Sequence, residues 1–162
     1  MGQNSPMPES RESTEETRES QGGAAETAPP PPAELDERLR LALHAAGEKK
    51  AHDLVVLDLR ELASFTDFFV IASGTNVRQV QAIADEVQDQ LRRRLGVKPA
   101  RVEGYNSAEW VLLDYGDFIL HVFEEKSRRF YDLERLWRDA ARVPLPPDEA
   151  AGAGGGSSRD AG

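Results

Sequence analysis

The sequence predicts an α+β fold, a mixed five-stranded sheet packed with helices in the order α-β-β-α-β-β-β-α. Three observations carry that prediction. The β-branched runs DLVVLDLR and FTDFFVIAS are separated by only the four residues ELAS, a spacing short enough for a hairpin. A second pair of apolar runs meets across Gly116-Asp117 inside EWVLLDYGDFILHVF, and a Gly-Asp dipeptide suits a type I′ or II′ turn. Around these strands, three stretches place apolar residues at helical spacing. Strands grouped by short turns, with helices between the groups, point to an α+β sheet covered by helices.

Taken in order, AELDERLRLALHAAGEKK sets Leu35, Leu39, Leu43 and Ala46 on one stripe. Glu34, Asp36 and Glu37 stand in its first turn, and Gly47, Lys49 and Lys50 at its end, so its charges match the helix dipole. The two strands at 53–60 and 65–73 follow. SGTN then opens a second helix, whose Val77, Val80, Ile83, Ala84, Val87 and Leu91 share a face. Asn76 is placed to cap its free amides, and Arg92, Arg93 and Arg94 close it before Gly96. That arginine triplet reads as dipole compensation on a solvated face, with a nucleic-acid patch as the alternative. A short strand near 100–103 and the polar loop GYNSAE lead into the second hairpin. EEKSRRFYDLERLWRDA closes the fold as a single third helix burying Phe130, Leu133, Leu136 and Trp137.

A chain of 162 residues is at most one ordinary domain. Residues 1–34 hold seven acidic and two basic side chains, four consecutive prolines and no aromatic residue. Such a segment cannot bury enough apolar surface to offset its ordering entropy. The last stretch is Pro, Gly, Ala and Ser in character. The expected organisation is therefore a disordered acidic extension at 1–32, a folded domain at 33–143 and a disordered tail at 144–162. Between the tails, residues 35–147 carry nineteen acids and seventeen bases. Most of the formal charge of -9 thus lies outside the fold, and a nearly neutral core argues against gripping bare nucleic acid by its phosphates.

There is no cysteine, which removes disulfides, thiolate zinc sites and thiol nucleophiles together. His44, His52 and His121 are too far apart for a metal-binding pair on one helix. No run approaches the roughly 20 apolar residues of a membrane span. The acidic amino terminus has neither a secretory n-region nor transit-peptide character, so a soluble cytoplasmic protein without metal or cofactor is expected.

A two-residue turn at Gly116-Asp117 sets the hairpin register. Tyr115 faces Phe118, Asp114 faces Ile119, Leu113 faces Leu120, Leu112 faces His121, Val111 faces Val122 and Trp110 faces Phe123. Opposed residues project to the same side. One side then carries Val111, Leu113, Tyr115, Phe118, Leu120 and Val122, with no charge, and is the helix-covered core. The other carries Trp110, Leu112, Asp114, Ile119, His121 and Phe123, where an acid and an imidazole would be costly to bury without partners. Three readings of this mixed face compete. A helix covers it and Asp114 and His121 satisfy each other or loop backbone; it is an open face that docks a protein; or Asp114 and His121 form an acid-base site. The last lacks both a nucleophile and a Gly-rich phosphate cradle.

TDFFVIASGTNVRQVQAIADEV, followed by AEWVLLDYGDFILHVFEEKSRRFYDLERLW, resembles the ribosomal silencing factor family, also called the Iojap family. The resemblance runs from about Leu35 to Trp137, and the acidic amino-terminal extension is not part of the family pattern. It implies a non-enzymatic repressor of translation. Such a protein binds the large ribosomal subunit through its fourteenth protein and blocks joining of the small subunit when nutrients are scarce. Organellar relatives assist large-subunit assembly, which is the alternative role. The family fold is similar to that of nucleotidyltransferases, which hold Mg²⁺ between paired carboxylates on one strand. Ser73-Gly74 resembles their Gly-Ser turn, but no strand here bears the pair, since Asp114 and Asp117 straddle a turn. The expected partner-binding residues are Trp110, Leu112, Asp114, Ile119, His121 and Phe123, with Arg128 and Tyr131 on the last helix. The same face could pair with itself in a homodimer, and direct contact with nucleic acid is expected to be slight.

Overall fold

The structure, a computed structural model, describes residues 35–146. The first helix, α1 (Glu37–Glu48), starts at Asp36, whose carboxylate accepts the Leu39 amide at 3.0 Å. Asp36 is therefore the cap itself rather than a first-turn acid, satisfying an amide that the helix leaves free. Strands β1 (His52–Asp58) and β2 (Phe68–Gly74) pair antiparallel. They are joined by residues 59–67, a longer connection than the four residues expected. Helix α2 (Val77–Leu95) has the caps its sequence announces: Asn76 accepts the Gln79 amide at 2.9 Å, and Gly96 is left-handed with φ +68°. Strands β3 (Arg101–Glu103), β4 (Trp110–Asp114) and β5 (Phe118–Glu124) follow.

These strands form one mixed sheet in the order β3-β4-β5-β2-β1. The pair β2-β5 is parallel and lies at its centre. That position explains the unbroken apolar character of FFVIAS and FILHVF, because a central strand covered on both faces has no solvent side to alternate toward. The β4-β5 register runs Trp110-Phe123, Val111-Val122, Leu112-His121, Leu113-Leu120 and Asp114-Ile119, as the turn predicts. Gly116 has φ +88°, whereas Asp117 is not left-handed. Of the two primed turns, this is the type II′ pattern.

Two layers cover the sheet. On one side α2 packs on β2, β4 and β5, with α1 against α2, and Val111, Leu113, Leu120 and Val122 are fully buried there. On the other side Leu57, Leu59, Phe69, Ile71, Ile119 and Phe123 form a second apolar cluster with Leu133, flanked by Trp110, Leu112, Trp137 and Ala140. The carboxy-terminal segment supplies that cover.

The segment does so in a different shape from the one expected. The single third helix is broken into α3 (Glu125–Tyr131) and a one-turn α4 (Leu133–Leu136) by Asp132, which is left-handed at φ 50°, ψ 53°. Leu133 is buried and Trp137 partly so, but Phe130 is 79% and Leu136 74% exposed, so the expectation that all four are buried fails. The reason is energetic. A left-handed Asp costs about 1–2 kcal/mol, while burying one leucine contributes about 1.5–3 kcal/mol, and the bend turns both Leu133 and Trp137 onto the sheet. After α4 the chain adds a sixth strand, β6 (Ala141–Arg142), antiparallel to β1 at the sheet edge. Among the described residues the sheet thus has six strands rather than five, because two residues are too few to show a period in sequence. The expected extension at 1–32 and residues 147–162 of the tail expected at 144–162 lie outside the described residues; residues 144–146 are described and have no regular secondary structure.

Candidate functional site

Trp110 opens β4, and its position depends on the loop before it. Gly104 has φ +80°, and a Cβ there would stand 2.0 Å from the Trp110 carbonyl oxygen, so only glycine lets the loop close this tightly. From that anchor the indole stacks on Phe123, its cross-strand partner, at 4.8 Å between centroids, and meets Tyr131 at 4.8 Å. Its Nε1 donates to His121 Nδ1 at 3.0 Å. An indole N–H only donates, so Nδ1 is the acceptor and the neutral imidazole carries its proton on Nε2. His121 is 3% exposed, and Nε2 has no hydrogen-bond partner among the described residues. Burial pushes its pKa down to about 3, because the low-dielectric surroundings penalise the imidazolium.

From His121 the rings continue. Phe69 lies edge-to-face at 4.5 Å, Trp137 meets Phe69 at 5.6 Å, and Phe65 meets Trp137 at 6.1 Å. At the other end Tyr131 meets Phe130 at 5.0 Å. The belt Phe65-Trp137-Phe69-His121-Trp110-Tyr131-Phe130 crosses the mixed face. Its middle is buried, and its ends, Phe65, Tyr131 and Phe130, are 56%, 45% and 79% exposed.

The expected site residues separate accordingly. Trp110, Leu112 and Asp114 are half-buried, and Tyr131 is exposed. Ile119, His121 and Phe123 are buried under the carboxy-terminal segment, so the face is not open as the docking reading assumed. Asp114 and His121 do not satisfy each other. The carboxylate accepts the Gly116 amide at 2.8 Å and pairs with Arg101 at 3.6 Å, while the imidazole turns to Trp110. Arg128 points inward. Its NH1 donates to the Asp53 carbonyl and to Ser73 Oγ, each at 2.7 Å, and its Nε and NH2 grip the Glu134 carboxylate at 3.2 and 3.0 Å. Ser73 and Gly74, expected to form a turn, are instead the last residues of β2, paired with β5, and the Ser73 hydroxyl is taken up by Arg128. Asp117 pairs with Arg38 across to α1.

Phe130, Leu136 and Phe65 are the surface residues that sequence reasoning missed, since helical and strand spacing assigned them to the core or to a strand. The available signal was Asp132-Leu133-Glu134, because an Asp just ahead of an acidic first turn marks a helix start inside the supposed single helix. Among the described residues no group of three or more His, Asp or Glu could hold a metal ion, and no helix is long and apolar enough to cross a membrane. What the arrangement offers is contact. The exposed aromatic and aliphatic side chains sit on the two short helices and the 59–67 connection that cover the sheet, and such a patch, rimmed by polar groups, can contact another protein.

Residues 32–161 match the family described as "Ribosomal silencing factor during starvation". The chain is 43% identical over 109 residues to the ribosomal silencing factor RsfS of Halalkalibacterium halodurans, covering 67% of this chain and 92% of the relative. It is 41% identical over 107 residues to that of Bacillus subtilis, covering 66% and 90%. A crystal structure of a Chromobacterium violaceum protein, 37% identical, superposes with a TM-score of 0.62 over 70% of this chain and 91% of that one.

Proposed function

From the premise that this chain belongs to the ribosomal silencing factor family, we propose that it is a non-enzymatic, cytoplasmic repressor of translation. In this reading it binds the large ribosomal subunit through the fourteenth protein of that subunit and blocks joining of the small subunit, slowing translation when nutrients are limited. The observation that supports the reading is the partly exposed aromatic belt. Trp110 and Leu112 on β4 and Tyr131 and Phe130 at the end of α3 form an apolar surface joined through the Trp110–Tyr131 and Phe130–Tyr131 contacts, with Asp114 at its rim to receive a basic side chain. Buried Ile119, His121 and Phe123 support this surface from beneath. Aromatic anchors of this kind dominate binding energy in protein interfaces. The nearly neutral charge of residues 35–147 favours a protein partner over a phosphate backbone. The same surface supports a homodimer of the free protein, which would have to open before docking.

The test is sedimentation of purified large and small subunits with and without the protein. The expected outcome is that the protein migrates with the large subunit and that the joined-ribosome peak shrinks as its concentration rises. Subunits that join normally while the protein is bound would exclude the blocking role.

A further inference from the structure

We propose that Arg128 is a positioning residue: by gripping Glu134 across the left-handed turn at Asp132, it sets where Phe130, Tyr131 and Leu136 stand on the docking face. This rests on the docking reading above and adds the residue that organises the surface.

Three separate parts of the chain converge on this guanidinium. The β1-β2 ladder is irregular between His52 and Val55, and Asp53 within that bulge is left-handed at φ 53°. The irregularity leaves the Asp53 carbonyl to accept from Arg128 NH1 at 2.7 Å. Ser73, near the end of β2, accepts from the same nitrogen. On the opposite edge, Nε and NH2 form a two-pronged bond with Glu134, the second residue after Asp132. The Arg128 side chain is only 11% exposed. One side chain therefore ties the β1 bulge and the end of β2, both parts of the rigid sheet, to the short α4 that follows the break. A planar fork can serve the carboxylate and the sheet at once, whereas an ammonium has no fixed second edge.

The tie matters because the sequence of 124–140 has a competing solution. Its apolar spacing fits one continuous helix, in which Phe130, Leu133 and Trp137 would share a stripe. In the broken form they part: Leu133 and Trp137 turn to the sheet, and Phe130 turns to solvent beside Tyr131. Leu133 and Trp137 anchor the far side of the break against the sheet, and Arg128 with Glu134 is the polar anchor that opposes straightening. Without it the sheet and α2 keep their packing, while segment 129–140 loses its single position.

The experiment uses the full chain and purified large ribosomal subunits, with Arg128→Lys, Phe130→Ala and their combination read by binding and by amide hydrogen exchange. Arg128→Lys is expected to speed exchange across 129–140, leave α2 and β5 protected, and weaken binding about tenfold. Phe130→Ala, at an exposed position, is expected to weaken binding by a similar factor without changing exchange in α2 or β5. Because Arg128 acts through the residues it places, the double variant should bind no worse than about the weaker single. Losses that multiply would show that Arg128 touches the partner itself and would overturn the proposal, as would wild-type exchange and binding in Arg128→Lys. Should Arg128→Lys strip protection from α2 and β5 as well, Glu134→Gln, which removes the charge from the outer half of the grip, decides by the same two readouts. Phe130→Ala without effect also overturns the proposal, and if Trp110→Ala is equally silent the docking reading falls with it.

Discussion

His121 shows how one buried polar side chain ties the site to pH. It is neutral in the folded protein, with its pKa pushed down to about 3 from an ordinary 6.5 by burial, and it accepts the Trp110 N–H. The unfolded chain therefore binds a proton that the folded chain refuses throughout the interval between these values. Stability is full above about pH 6.5 and is lost as pH falls toward 3, at up to about 1.4 kcal/mol per pH unit. Chemical denaturation at pH 7 and pH 5 should give a drop of about 2 kcal/mol in the wild type. The drop should be clearly smaller in His121→Gln, which keeps an acceptor for Trp110 but does not titrate. Equal drops in the two proteins would show that His121 is solvated enough to charge in place.

At the scale of the element, the β4-β5 hairpin divides two kinds of function between its faces. Leu113 points into the packed layer under α2 and is fully buried, so Leu113→Ala opens a cavity costing about 2–5 kcal/mol of stability. Trp110 points to the other face, where it is half-buried, stacks on Phe123 and satisfies His121. Its loss is not free to the fold as an exposed hot spot would be, because it also leaves the His121 acceptor unpaired, at about 1–3 kcal/mol. The distinguishing measurement is paired, thermal unfolding beside co-sedimentation with large subunits. Trp110→Ala should lose about 2 kcal/mol or more of binding while staying folded, and Leu113→Ala should bind in proportion to the fraction that is folded. Trp110→Ala that unfolds as severely as Leu113→Ala yet binds normally when folded would move the contact surface away from β4.

For the whole molecule, charge and apolar content are unevenly spread along the chain. Most of the -9 formal charge falls outside the segment that forms the sheet and its two cover layers. The flanking segments have no aromatic, Leu, Ile or Val residue and so little apolar surface to contribute, and a chain trimmed to 33–145 should melt within a few degrees of the full protein. A fall of ten degrees or more would show that a flanking segment packs on the domain. The trimmed end point retains Val143, which is buried and whose amide donates to the Val56 carbonyl at 2.9 Å. Cutting before it would remove the strap that holds β6 to β1.

By itself the sequence determined the features that depend on near neighbours. The caps at Asn76 and Gly96, the hairpin register set by Gly116-Asp117 and the two-sided division of β4 and β5 each follow from local stereochemistry and a period of two or 3.6. So did the ribosomal silencing factor resemblance, carried by the contiguous runs at 66–87 and 108–137. Only the tertiary structure decided which parts of the mixed face are covered. Asp114 and His121 lie close in sequence, yet they part because Arg101 and the turn hold one and Trp110 the other. The helix expected over 124–140 breaks at Asp132 because Leu133 gains a core built from β1, β2 and β5, and because Arg128 finds Asp53 and Ser73 more than fifty residues earlier in the chain. Periodicity counts only the residues within a turn or two. The balance at Asp132 is settled by contacts between segments that the chain brings together only when it folds, and that balance leaves Phe130 and Leu136 on the surface.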